Sequence, residues 1–562
     1  MSASRDPLLL VAAAIGCLCA ALACVPTDIY ASWFAHPVRV ARLDGAIPEA
    51  TLRGALFFRI ALAAGALFIP ALIWILSRMC AVAARRDDPR HTPEALPSTP
   101  RTRRDWLIVG ALIAFGALVR VVLAQESLWY DEISALLSFA LEGPGVAFGS
   151  YTMPTNHVPM TLAVWLSVTL LGSVSELVVR LPALLAGIAT IPAAFALGSA
   201  LRNAQFGNTL AFVAALAPLA VIESAEARGY PFVILAAIVA ATALARASRT
   251  GVRSEYALFA LASAFGAWAH PVAVLLPFAA GVVGVIRDRR LAVAALLAGV
   301  MATVLLAPLL GDVLATRGDY ARTDAAQPSI FSREGYETLT GVTLSWSRWW
   351  MTPAPVLTLL FIMGAWLLLG SRDNTAVRAR QVLTPFALAL VLALALPPLL
   401  GSWTYARFTL FALPIGLIAI GWTLDRLPQR PWSALVFALF LCDALVSISY
   451  YRTKQPIREA VAIVAELRAP NDAVVAIGLP DNAVGFYARQ LEFEAPAAGF
   501  LGRDLGAALL REQPKFVVVL YPDRIADETL ATLDDGFDRT HRLDGWADWG
   551  HGAVEIWRRS AR

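Results

Sequence analysis

The chain has 562 residues, 58% of them hydrophobic and 16% charged, with a mean hydropathy of +0.63; an ordinary soluble domain carries roughly a quarter charged residues. That balance excludes a soluble globular protein and describes a polytopic membrane protein. A net charge of +4, scattered in short basic clusters between apolar runs, excludes a nucleic-acid footprint. Five cysteines (Cys17, Cys19, Cys24, Cys80, Cys442), all inside or at the ends of apolar runs and without metal-type spacing, exclude a disulfide framework and a zinc site.

In chain order, runs able to cross a bilayer, about twenty residues each, fall near 8–26, 55–82, 105–124, 181–201, 209–224, 231–246, 291–310, 356–371, 382–400, 409–424 and 433–450. The first reads as an uncleaved span, because no clear small-x-small cleavage site precedes a polar mature start. Residues 256–286 read as a hairpin of two short spans broken at Ala269, His270 and Pro271, for about thirteen crossings in all. The stretch 158–172 has a length that suits an interfacial segment better than a span.

Orientation follows from the excess of Lys and Arg on cytoplasmic loops. The strongest basic cluster lies between Arg78 and Arg104; placing it inside makes 105–124 run outward. The outer face then holds 125–180, the turn 223–231, the turn at His270, a Trp-rich loop 311–355, residues 401–408 and everything after about 451. The cytoplasmic face holds short basic connectors. The long loop, with "SWSRWW" at 345–350 and "RGDY" at 317–320, fits a mobile cover over an active site, and its tryptophans suit membrane anchoring.

The tail alternates. "IREAVAIVAEL" and "DLGAALLREQ" have helical spacing, and "AVVAIG", "KFVVVLY" and "AVEIWRR" read as strands, which predicts a small α/β domain with a structural or acceptor-positioning duty. The organisation expected is an N-terminal two-span extension with a basic cytoplasmic linker (1–104), a transmembrane catalytic unit (105–450) and a C-terminal domain (451–562).

Chemistry concentrates on the outer face. Asp131 and Glu132 follow Trp129 and Tyr130 at the mouth of the third span. A charge at the bilayer centre costs roughly 2.5 to 3.5 kcal/mol on insertion scales, so an aromatic belt followed by solvated acids is one reading. The other rests on company at the same depth: His157 in "TNHVP", Arg180 in "RLPAL", Glu226, Arg228 and Tyr230 in "EARGY", His270 in "AHP" and Arg407 in "ARF". A lone histidine before proline at a helix break also suits a structural role, since irregular backbone at membrane depth needs partners. Arg120, near the outer end of its span, suits snorkelling to the surface.

This succession, "SLWYDE", a histidine-proline segment, "RLPAL", "EARGY", "AHP" and "ARF" ahead of "ALPIGL", resembles the integral-membrane glycosyltransferases of the GT-C superfamily. The nearest likeness is to the branch with the lipid A aminoarabinose transferases and protein mannosyltransferases. The resemblance covers roughly residues 105 to 450. It implies an α-helical polytopic fold, here with the small C-terminal α/β domain, in a multi-pass inner (plasma) membrane protein. It also implies transfer of a sugar from a polyprenyl-phosphate donor to a lipid, glycan or protein acceptor on the extracytoplasmic side.

The resemblance matches Asp131 to the catalytic acid of the first outer loop, Glu132 to its partner and Glu226, before Glu223, to the second-loop carboxylate. "HVP" stands where "HPP" is commoner. A lipid phosphate leaves as a monoester with a second pKa near 6, so it needs cations more than a proton. Asp131 would take the acceptor's proton, and Arg228 or Arg407, with Tyr230, would hold the phosphate; His157, His270 and Arg180 are candidates for substrate contact. No cofactor is implied; a divalent cation is left open, because oxygen-ligand sites leave little trace in sequence. A single displacement predicts inversion. The alternative is a transporter or flippase of lipid-linked substrates, for which Asp443, deep in a span, is the supporting residue.

Overall fold

In hydrocarbon each backbone N–H and C=O must be satisfied within its own segment, so apolar runs of this length fold as helices. The computed structural model describes residues 7–85, 102–322, 355–399, 406–427, 431–450, 453–479, 482–547 and 552–560. Among them, seven helices are long and apolar enough to cross a membrane, and nine cross if each of two bent pairs counts as one span. One pair, Pro7–Ala23 with Thr27–Phe34, turns by 90°; the other, Ala204–Leu216 with Pro218–Ser224, turns by 56°.

Within 256–286 the break falls where expected: helix Arg253–Ala269 ends at His270, and a short turn at Pro271–Val274 leads into helix Leu275–Arg287. Segment 158–172 forms the 14-residue helix Val158–Leu171, about 21 Å long at 1.5 Å per residue and short of a bilayer core. The outer loop expected from 311 begins instead as the helix Leu310–Arg322, which includes the "RGDY" stretch; "SWSRWW" lies outside the described residues.

Small residues let the helices approach closely, as packing in lipid requires. A methyl group on Gly198 of helix Glu176–Leu201 would stand 2.7 Å from the Cα of Gly207 on helix Ala204–Leu216. The N-terminal helices build an aromatic cluster with Phe148 of helix Pro144–Gly149: Tyr30 stacks on Phe34, and Phe58 meets Tyr30, Phe34 and Phe148 edge to face. The cluster is tied to the rest by Arg39, which pairs with buried Asp312 at 2.6 Å.

The tail forms a five-stranded sheet of β1 (Val474–Gly478), β2 (Ala497–Phe500), β3 (Phe516–Leu520), β4 (Phe537–Leu543) and β5 (Val554–Arg559), in the order β2-β1-β3-β5-β4. β1 lies parallel to β2 and β3, and β5 is antiparallel to β3 and β4. β1 and β3 are buried along their whole length, which explains their unbroken apolar sequence. One face, with Val475, Ile477, Val517 and Val519, packs on Leu505, Ala508 and Leu533. The other, with Val474, Ala476, Phe516 and Val518, shares a single cluster with Val461 and Tyr487 and also with Leu128, Trp129, Tyr130 and Ile133. The domain is therefore docked on the segment that carries the paired acids.

The helices define two ends. Helix Glu176–Leu201 spans about 39 Å at 1.5 Å per residue, with Arg180 near one end and Arg202 just past the other. At the far end Arg202 pairs with Asp425, Arg426 with Asp373 at 2.9 Å, and Arg249 donates to the carbonyl of Ala200 at 2.9 Å. The basic connectors thus gather opposite the candidate site residues.

Candidate active site

The site is organised by one short helix, Tyr130–Ala135. Trp129 occupies its N-cap and Glu132 its third position, from which the Glu132 carboxylate reaches back to the Trp129 N–H at 3.2 Å, the acidic half of a capping box. Burial and hydrogen bonding complete its environment. Arg180 donates to it through Nε at 2.8 Å and Nη2 at 2.5 Å, and the Ala227 N–H donates at 2.6 Å. Glu132 thereby joins the segment after helix Arg103–Leu123 to "EARGY" and to helix Glu176–Leu201.

Arg180 was a candidate for substrate contact, and its geometry corrects that expectation. A guanidinium has five N–H donors. Besides the two on Glu132, its Nη1 donates to the carbonyls of Ala124 and Glu126 at 3.2 and 2.5 Å, and Nη2 donates to that of Ser127 at 2.9 Å. All five donors are spent inside the protein. Arg120 is corrected likewise: it is fully buried and binds the carbonyls of Gly116, Ala215 and Ala214 at 3.0, 3.1 and 3.2 Å. Pro218 lacks the N–H that would have bonded Ala214, so Arg120 satisfies a helix break where the sequence suggested snorkelling.

Asp131 points elsewhere. Its side chain keeps 18% exposure, and Oδ2 stands 3.3 Å from Nη2 of Arg228 and 3.9 Å from Nη2 of Arg407. Both guanidinium groups face the Trp129 ring, at 5.8 and 5.7 Å from its centroid, and the ammonium of Lys454 faces it at 4.9 Å. Such contacts are attractive and strengthen when desolvated. One indole therefore orders three cations next to one accessible carboxylate.

Glu226 pairs with Lys454 at 2.9 Å, and both are buried. Burial alone would lower the lysine's pKa; Glu226 and then Glu223 outweigh it and hold the ammonium charged. Glu223 is fully buried, and its carboxylate oxygens have no hydrogen-bond partner among the described residues.

Beside these groups lies an aromatic wall of His157, Tyr230, His270 and Phe408, with ring centroids 4.8 to 5.4 Å apart. Burial and the charge of Arg228 push both imidazoles down, His270 to about 3, so both are neutral at physiological pH. His157 Nδ1 bonds the Ala269 carbonyl at 3.0 Å, and His270 Nδ1 accepts the Val272 N–H at 3.3 Å, which gives the latter a capping job. Gly229 is required here, because a Cβ would collide with the Ala269 carbonyl and the His157 ring.

Among the described residues no three His, Cys, Asp or Glu side chains converge in a cation-binding group. Three of the carboxylates at hand already face cations: Asp131 faces Arg228, Glu132 faces Arg180 and Glu226 faces Lys454.

Sequence reasoning missed Lys454 and Gln455. A signal was available: Lys454 is one of two lysines among 46 basic residues, and it follows directly after the last span.

No family model matches the chain, and no curated protein does. Among solved structures, the crystal structure of ArnT from Cupriavidus metallidurans bound to undecaprenyl phosphate is similar with a TM-score of 0.51 at 12% identity, covering 82% of this chain and 99% of that one. Fainter likenesses are to the archaeal oligosaccharyltransferase AglB from Archaeoglobus fulgidus in complex with an inhibitory peptide and a dolichol-phosphate (TM-score 0.43, 10% identity, 75% and 70% covered) and to the arabinosyltransferase EmbB from Mycobacterium smegmatis (0.36, 16%, 86% and 48%). The chain has a GT-C-like fold.

Proposed function

We propose that this GT-C-fold membrane protein is a glycosyltransferase that moves a sugar from a polyprenyl-phosphate donor to a hydroxyl of a lipid, glycan or protein acceptor, with Asp131 as general base. The observation that carries the reading is the partly exposed Asp131 carboxylate between Arg228 and Arg407, on one side of a cation-lined indole. The fold it shares with a structure bound to undecaprenyl phosphate supports the donor class.

In the proposed reaction Asp131 takes the proton of the acceptor hydroxyl as its oxygen bonds to the anomeric carbon. The bond from that carbon to the phosphate oxygen breaks, and its electron pair leaves with the phosphate. Arg228 and Arg407 carry the charge that develops there through charge-assisted hydrogen bonds. One displacement inverts the anomeric centre. Glu132 positions the helix that bears Asp131, and Glu226 holds Lys454. The clustering of basic connectors at the far end supports a site on the extracytoplasmic side.

The transporter reading loses its residue. Asp443 accepts the N–H of Leu357 at 2.9 Å, an otherwise unbonded donor in the first turn of the neighbouring helix Pro355–Gly370, so this half-buried carboxylate has a structural employment.

Purified protein in lipid discs, incubated with a panel of labelled polyprenyl-phosphate sugars and membrane lipid extract, should move label from one donor. Asp131→Asn should lower kcat by roughly 10²–10⁴-fold while the protein still binds donor. Transfer by Asp131→Asn at the parental rate would remove Asp131 from the chemistry.

A further inference from the structure

The donors around Trp129 are not all spent. Nε and Nη1 of Arg228, Nε1 of Trp129 and Nε2 of Gln455 are buried without an acceptor among the described residues, and all three residues are more than nine-tenths buried. Buried donors in native proteins are nearly always paired, so a group of orphans in one place describes a ligand rich in oxygen acceptors.

Two of the groups around Trp129 and Tyr130 come from beyond the last span. Gln455 Oε1 accepts the Tyr130 N–H at 3.1 Å, which fixes the carboxamide's orientation and leaves its NH2 as the unspent end. Lys454 lies 4.9 Å from the Trp129 ring and acts as a point charge, which needs no vacant donor to attract a phosphate. The dipeptide is gripped from behind by the C-terminal domain. The Lys454 carbonyl accepts the Ala547 N–H at 2.8 Å, and Gly545 and Gly552 approach the same carbonyl so closely that a Cβ on either would overlap it.

We infer that the C-terminal domain completes the donor site: Gln455 Nε2 and the Lys454 ammonium bind the oxygens of the donor's phosphate, opposite Arg228 and Arg407. The inference rests on the polyprenyl-phosphate reading and assigns the domain a binding role within the same site. It also explains why Glu226 is buried beside Lys454: the carboxylate holds the ammonium charged and in place.

Gln455→Glu keeps an oxygen for the Tyr130 N–H and replaces the NH2 by negative charge. Lys454→Met alone would strand Glu226 as a buried unpaired acid, so Lys454→Met is made together with Glu226→Gln. The readouts are binding of polyprenyl phosphate without sugar to the full-length protein in lipid discs, and steady-state kinetics with the donor that the parent uses. Both variants should weaken binding and raise KM for the donor at least about tenfold, as loss of a charge-assisted hydrogen bond does, with kcat changed far less; Lys454→Arg should keep most of the affinity. Parental binding by Gln455→Glu and by the double variant, each folded by thermal denaturation, overturns the inference alone. If the parent itself neither binds polyprenyl phosphate nor transfers a sugar from it, the functional reading falls and this one with it.

Discussion

Adjacent residues on a helix diverge by about 100°, and that angle separates the work of Asp131 from that of Glu132. Asp131 faces the open space beside two arginines, whereas Glu132 turns inward and is saturated by Arg180 and two backbone N–H groups. Removing the charge from Glu132 leaves a buried guanidinium without its counter-ion, a loss of about 3 to 5 kcal/mol. Glu132→Gln should therefore lower the thermal denaturation midpoint well below that of Asp131→Asn; Glu132→Gln at full stability with no transfer would instead put Glu132 in the chemistry. Asp131, Arg228 and Arg407 are legible in the sequence because charge at the rim of an apolar run has few places to go. The engagement of Arg180 is not legible, because three of its five bonds go to backbone carbonyls whose position depends on the fold.

At the scale of elements, proline sets where the helices break, and side chains from distant segments repair the breaks. The bend between Ala204–Leu216 and Pro218–Ser224 is predictable from Pro218; that Arg120, about ninety-five positions earlier, binds the freed carbonyls is not. Arg120→Met keeps the length and removes the donors, leaving the Ala214 and Ala215 carbonyls unpaired at about 1 to 3 kcal/mol each. A lower midpoint of thermal unfolding is expected, with faster hydrogen exchange confined to 210–224. An unchanged midpoint would mean that Arg120 is dispensable to the bend and free for another role. The strands tell the same story from the other side. β1 and β3 are legible as apolar runs, while β4, "FDRTHRL", presents exposed charged residues along a sheet edge and carries no hydrophobic signal to read; charge of this kind protects an edge from pairing.

At the scale of the whole molecule, the C-terminal domain is bound to the membrane unit at residues 126–130, at Glu176 and at Glu226. Tyr487 Oη accepts the Leu128 N–H at 2.7 Å and donates to Glu176 at 3.0 Å, Arg458 pairs with the same Glu176 at 2.8 Å, and the Ser127 hydroxyl accepts the Arg458 N–H at 3.1 Å. Their partners on the membrane unit lie within five residues of Asp131 in sequence or on the helix that carries Arg180, so loosening of the domain should be felt at the site. The sequence identifies the domain by its alternation but not its docking, because the contacts are polar groups and single aromatics without periodicity. Tyr487→Phe removes the acceptor for a buried N–H and a partner of Glu176, at a cost of about 1 to 3 kcal/mol, while the ring still fills its place in the shared core. The domain's own fold should survive, since its two-sided core is untouched, and the loss should appear at the junction: faster proteolysis between 450 and 457, and a kcat/KM for the donor reduced in step with the fraction of undocked domain. If proteolysis accelerates while kcat/KM stays parental, docking and catalysis are independent and the domain is a passenger on the membrane unit.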